Sequence, residues 1–172
     1  ETYYYRRLIT DAVRAVDYLA SRPDVDANRI AVVGASQGGG LALAAGALSS
    51  AAAVLADVPF LCHFERAVGL TGREPYEEIA RYLAVHRDRI DEVFDVLSYF
   101  DGVNMAKRIS VPTRISVGIM DEICPPSTVY AAANQIRDVV VDLYQFNMHE
   151  GGDVEQWARQ AAWLADVFGA GR

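Results

Sequence analysis

A serine set between glycines, Gly34-Ala35-Ser36-Gln37-Gly38, is the pattern in this chain with the clearest chemical use. A serine hydroxyl becomes an effective nucleophile only when a positioned base takes its proton. Three histidines are available: His63, His86 and His149. His86 stands in the charged run Ala84-Val85-His86-Arg87-Asp88-Arg89 and reads as a solvated side chain. His63, between Cys62 and Phe64, reads as packed structure. His149 lies in Asn147-Met148-His149-Glu150-Gly151-Gly152, just past an apolar strand-like run, where the active groups of parallel sheets collect. An imidazole base needs a carboxylate to fix its tautomer and stabilise the imidazolium. Asp121, also just past a strand-like run, is the expected acid. Glu122, one residue on, should point elsewhere, and Glu150 adjoins the base itself. Ser36, His149 and Asp121 suit acyl transfer through a covalent intermediate, with the backbone amide of Gln37 donating to the oxyanion.

These groups need elements to hold them. The apolar run 29–33 before Ser36 and the Ala/Leu-rich run 41–48 after it give strand, G-x-S-x-G, helix, the context of a nucleophile elbow. Gly34 and Gly38 are expected to be glycines because a Cβ at either would collide with the neighbouring strand or helix. Apolar residues at helical spacing predict an amphipathic helix over 8–20. Further strands are expected at 51–59, 111–119 and 139–146, a helix from Pro125 to about 137, and a terminal helix ended by Gly169. That last helix carries an apolar stripe of Val154, Trp157, Ala158, Ala161, Leu164, Ala165 and Phe168. Asp57, at the end of the second strand, reads as a structural cap or loop anchor. Several short helical pieces between the second and third strands, about 61–108, predict a cap or lid insertion.

Alternating strands and helices predict one α/β domain over 1–172, a parallel sheet flanked by helices. The order serine, acid, histidine is that of α/β-hydrolases. With four strands and an elbow at position 36, the chain is expected to be the C-terminal portion of such a fold. The elbow strand would then lie at an apolar edge, with an upstream segment missing or something else covering it.

At 172 residues, 52% of them hydrophobic and 23% charged, the composition is that of a globular domain. The net charge of −7, with no basic run, argues against nucleic acid or an anionic membrane surface as a partner. No apolar stretch reaches about 18 residues, so no span is expected, and the N-terminus lacks a signal-peptide layout. Cys62 and Cys124 fit reduced, buried thiols of a cytoplasmic protein, a disulfide between them being left open. No metal or cofactor is expected: H-x-x-x-H, paired cysteines, G-x-G-x-x-G and G-x-x-x-x-G-K-[ST] are all missing.

With these residues in hand, the chain resembles the acetylxylan esterase/cephalosporin-C deacetylase family, family seven of the carbohydrate esterases. The likeness runs through Tyr3-Tyr4-Tyr5-Arg6, Ser36-Gln37-Gly38-Gly39-Gly40, Asp57-Val58-Pro59-Phe60-Leu61 and Leu97-Ser98-Tyr99-Phe100-Asp101. It continues in Gly118-Ile119-Met120-Asp121, Cys124-Pro125-Pro126-Ser127-Thr128-Val129-Tyr130 and His149-Glu150. The resemblance implies Ser36 as nucleophile, Asp121 as acid, His149 as base, Gln37 as one oxyanion donor, and Phe60, Pro75 and Ile123 lining an acyl pocket. It implies cytoplasmic hexamers that deacetylate short xylo-oligosaccharides and cephalosporin C. In that family the second oxyanion donor is a tyrosine well upstream of the elbow. Tyr3, Tyr4 and Tyr5 are not that residue, so this chain is expected to be a fragment, weak or inactive alone. Two other readings share the pattern: a serine peptidase of the prolyl-oligopeptidase type, and a non-catalytic hydrolase module serving oligomer contacts.

Overall fold

The computed structural model describes residues 3–169, so the outermost residues of the 1–172 domain lie outside it. Four parallel strands pair in the order β1 (Ala31–Ala35), β2 (Ala53–Asp57), β3 (Thr113–Gly118), β4 (Val139–Tyr144). Before β1 comes α1 (Tyr4–Ala20), and between β1 and β2 lies α2 (Gln37–Leu48). The chain from β2 to β3 holds α3 (Phe64–Leu70), α4 (Tyr76–Val85), α5 (Ile90–Ser98) and α6 (Gly102–Ala106). Then α7 (Pro126–Ala133) leads to β4, and α8 (Asp153–Val167) closes the described chain. The fold is that of an α/β-hydrolase.

Side chains alternate between the faces of a strand, and here the two faces have different characters. One face offers Val54, Ala56, Ile115 and Val117 to a single apolar core. Leu43 of α2, Phe64 of α3, Tyr76 of α4, Leu97 of α5, Ala106 of α6 and Val129 of α7 complete it. The short helices of 61–108 therefore contribute their inner residues to the same core as the sheet. Asp101 joins two of them: its carboxylate caps α6 at the Val103 N–H and accepts the N–H groups of His63 and Phe64. On the other face, register aligns Asp57, Ser116 and Asp142 in one row across β2, β3 and β4. Asp142 there receives a two-pronged hydrogen bond from Arg114, at 2.6 and 2.8 Å.

The structure revises several expectations. The helix α1 begins at Tyr4, not at residue 8, because Tyr3 and Tyr5 pack against Phe100 and Phe60. The elbow strand starts at Ala31 because 27–29 form a 3₁₀ turn capped by Asp26. The helix α7 stops at Ala133, where i→i−3 bonds from Gln135 and Ile136 tighten the exit. The largest revision concerns α8. Its apolar stripe faces outward over the first turns, with Val154 67% and Trp157 62% exposed, while Gln156 and Gln160 turn inward. The reason lies beneath it: the sheet presents the Asp57 carboxylate, which calls for side chains with hydrogen-bond donors. As expected, β1 takes an edge of the sheet, and Val33 on it is 58% exposed. Both cysteines are free and buried. No helix among the described residues is long and apolar enough to cross a membrane.

Candidate active site

Ser36 occupies the turn between β1 and α2 with φ 54° and ψ −116°, a conformation that a non-glycine residue holds only when its surroundings enforce it. Three backbone hydrogen bonds do so. The Ser36 N–H donates to Asp57 O at 2.9 Å, and its carbonyl accepts from Gly40 at 3.0 Å and from Phe60 at 2.9 Å. The glycines serve different ends from those expected. A Cβ on Gly34 would sit 2.3 Å from the Gly38 backbone, as anticipated, but a Cβ on Gly38 would meet only open space. The other close approaches are at Gly40, whose Cβ would lie 2.4 Å from Phe60 O, and at Gly39, whose Cβ would lie 2.9 Å from Asp57 O. Gly40 is therefore what lets the 59–61 segment cross tightly over the start of α2.

His149 reaches the serine from the loop after β4. Its Nε2 is 2.8 Å from Ser36 Oγ, and its Nδ1 is 2.8 Å from Asp121 Oδ2. Asp121, buried past the end of β3, accepts at its other oxygen from Ile123 N–H at 2.8 Å and Cys124 N–H at 2.9 Å. Every contact uses this carboxylate as an acceptor, so Nδ1 carries the proton toward Asp121 and Nε2 is left to accept from Ser36. Such a line can draw the proton off an attacking hydroxyl and return it to a leaving group. Gln37 is the first residue of α2, where helix N–H groups lack intrahelical partners and face a developing anion favourably. Its side chain is drawn aside, donating to Tyr5 OH at 2.9 Å.

The rival residues have other occupations. Glu122 forms an ion pair with Arg73 at 2.7 Å. Glu150 accepts from Asn147 and Met148, and hydrogen bonds from its own backbone, Asn147 and Met148 hold its carboxyl below the usual range. His86 is exposed against the Tyr82 ring, 4.3 Å between centroids, and His63 donates its backbone N–H to Asp101. The three expected acyl-pocket residues do not share one cavity. Phe60 and Pro75 line a cavity of ≈ 660 Å³ with Tyr3, Tyr5 and Phe64. Ile123 lines a smaller one of ≈ 150 Å³ beside His149, Met148 and Arg73.

Asp121, Cys124 and His149 each place one potential metal-ligand atom within 4.8 Å of the others. Their chemistry does not suit a metal: the imidazole and carboxylate are bonded to each other. Burial and the nearby Asp121 charge push the Cys124 thiol far above its ordinary value, away from the thiolate that a metal binds.

Asp57 carries more than a cap. Its buried carboxylate accepts from Gln160 Nε2 at both oxygens, 2.9 and 2.8 Å, and from Gln156 Nε2 at 3.1 Å. Burial pushes its carboxyl above the usual range, and donors including both glutamines pull it back. The two glutamines were not anticipated, although their i, i+4 spacing on a helix beginning four residues past His149 was visible.

The profile of the acetyl xylan esterase (AXE1) family matches residues 1–167, and the chain belongs to that family. It is similar to an acetyl xylan esterase from Paenibacillus sp. R4, with 42% identity and a TM-score of 0.90 over 96% of this chain and 54% of that one. Acetyl xylan esterase 1 from Thermoanaerobacterium sp. JW/SL YS485 gives 34% identity and a TM-score of 0.87, covering 95% and 53%. Acetyl esterase Axe7A of Xylanibacter ruminicola is 33% identical over 148 residues, 79% of this chain and 30% of that protein. The chain thus spans about half the length of the two solved esterases.

Proposed function

We propose that the protein is a serine carboxylester hydrolase that removes acetyl groups from acetylated xylo-oligosaccharides, and from cephalosporin C as a second substrate. The observation that carries this reading is the unbroken line from Ser36 Oγ through His149 to Asp121, 2.8 Å at each step. Ser36 Oγ attacks the acetyl carbonyl carbon while His149 Nε2 takes its proton. The Gln37 N–H stabilises the tetrahedral oxyanion, with Asp121 holding the imidazolium. The carbon–oxygen bond to the sugar then breaks, and the Nε2 proton passes to the departing sugar oxygen. Water attacks the acetyl-Ser36 ester with His149 again as base; acetate leaves and the serine recovers its proton.

The same three side chains serve peptide and ester cleavage alike, so the choice of an acetyl ester rests on family membership. Phe60 and Pro75 on one side and Ile123 on the other would bound the acyl group, with the helical segment 61–108 as a cap. The protein works in the cytoplasm as a homo-oligomer, a hexamer on the family resemblance. Replacing Ser36 with Ala in the full-length protein tests the assignment: hydrolysis of p-nitrophenyl acetate should fall on the order of 10⁴–10⁶-fold. Persistence at the original rate would reject it.

A further inference from the structure

Ser36 and His149 are 113 residues apart in sequence, and one buried residue touches Ser36 through its backbone and the helix after His149 through its side chain. Asp57 ends β2, and its backbone carbonyl receives the Ser36 N–H at 2.9 Å. Its carboxylate lies in the polar row on the α8 face, where Gln156 and Gln160 of α8 supply all three of its amide hydrogen bonds. These glutamines are 1% and 5% exposed on a helix that leaves apolar Val154 and Trp157 in the open. A helix oriented by apolar burial alone would be turned the other way; the carboxylate sets its rotation.

The helix begins at Asp153, four residues after His149. The intervening glycines are seated on the same layer. A Cβ on Gly151 would lie 2.8 Å from both Ser116 Oγ and Val58 Cγ1, and one on Gly152 would fall within 2.1 Å of the Tyr144 ring. Tyr144 in turn donates its hydroxyl to Gln156 Oε1 at 2.8 Å, closing the circuit from β4 through α8 to β2. Nothing in this circuit touches the reacting atoms. It fixes where the His149 loop leaves the sheet relative to the turn that carries Ser36.

We infer that Asp57, through Gln156 and Gln160, is a positioning residue for the contact between His149 Nε2 and Ser36 Oγ. This rests on the reading of Ser36 and His149 as nucleophile and base. A positioning role predicts a particular kinetic signature. A displacement near 1 Å of a general base can cost about 10²-fold in the chemical step, while substrate is still held by groups remote from α8.

The test uses Gln160→Met, which keeps side-chain length but removes two of the three amide hydrogen bonds to Asp57, alongside Asp57→Asn. Both are assayed on p-nitrophenyl acetate, with active sites counted by a fluorophosphonate probe and folding checked by circular dichroism. The expected result for folded Gln160→Met is a fall of about 10–100-fold in kcat per active site with KM within about twofold. The reversed pair, Asp57→Asn with Gln160→Glu, keeps one buried carboxylate facing an amide donor and should regain most of the loss. A variant that melts at lower temperature yet keeps wild-type kcat per titrated site would overturn the inference and leave Asp57 as a purely structural anchor. Ser36→Ala, run in parallel, separates the two claims. If it abolishes hydrolysis while Gln160→Met does not alter kcat, the positioning role fails and the proposed function stands; if Ser36→Ala retains activity, both fall.

Discussion

The two faces of the sheet solve the same packing problem with opposite chemistries. On the α2 face, Val54, Ala56, Ile115 and Val117 meet Leu43, Tyr76 and Val129, and cohesion comes from area removed from water. On the α8 face, Asp57 meets Gln156 and Gln160 while Asp142 meets Arg114, and cohesion comes from directed hydrogen bonds. An apolar face can repack after a change of shape when total volume is kept, because its contacts have no fixed direction. A buried carboxylate tolerates no such change, because a lost donor leaves a desolvated charge. Orientation is therefore enforced on the polar face. The loop bearing His149 lies between β4 and α8, on the side where geometry is set by bonds with fixed directions.

Removing one partner at a time separates the two modes, and the largest effect belongs to the polar face. Arg114→Met leaves the buried Asp142 carboxylate with only the longer ion pair to Arg159, at 3.8 Å, and should cost about 3 kcal/mol in urea unfolding. The pair Arg114→Met with Asp142→Leu should recover most of that, since a buried ion pair replaced by apolar side chains of similar volume is often neutral. On the apolar face, Leu43→Ala removes a fully buried side chain of α2 and should cost about 2–4 kcal/mol, with kcat for the folded protein unchanged. Gln160→Met should cost about 1–3 kcal/mol of stability for the acceptor left short of donors. The comparison breaks if the Leu43 variant, and not the Gln160 variant, disturbs kcat. The smallest effect is chemical. Burial pushes the thiols of Cys62 and Cys124 well up. Native protein should therefore leave both unmodified by iodoacetamide at neutral pH, with labelling appearing only on unfolding.

The same contrast explains what could be read from the sequence. The elbow was legible because strand, glycine, serine and helix signals are all local, and Gly34 does meet the Gly38 backbone as expected. The other demanding glycines of the elbow proved to be Gly39 and Gly40 instead of Gly38, because the constraint comes from residues 57–60, some twenty residues on, crossing over α2. The four strands and their parallel pairing followed from alternation with helices. The rotation of α8 did not follow, for the stripe of Val154, Trp157, Ala158 and Ala161 and the pair Gln156, Gln160 are equally regular. Which one turns inward is decided by what the sheet presents, and that is written at residues 57, 116 and 142, spread across three strands. The cavity walls were hidden for a similar reason. Phe60 and Pro75 come together with α1 residues on one side and Ile123 with the His149 loop on the other, a division that no local pattern records.

The proposed chemistry requires His149 to make Ser36 nucleophilic. A fluorophosphonate probe added to the folded protein, followed by intact mass and peptide mapping, tests it most directly. The expected result is one adduct per chain, on Ser36, formed at least about 10²-fold more slowly after His149→Ala. A folded protein that leaves Ser36 unmodified, or labels it equally fast without the imidazole, would contradict the account.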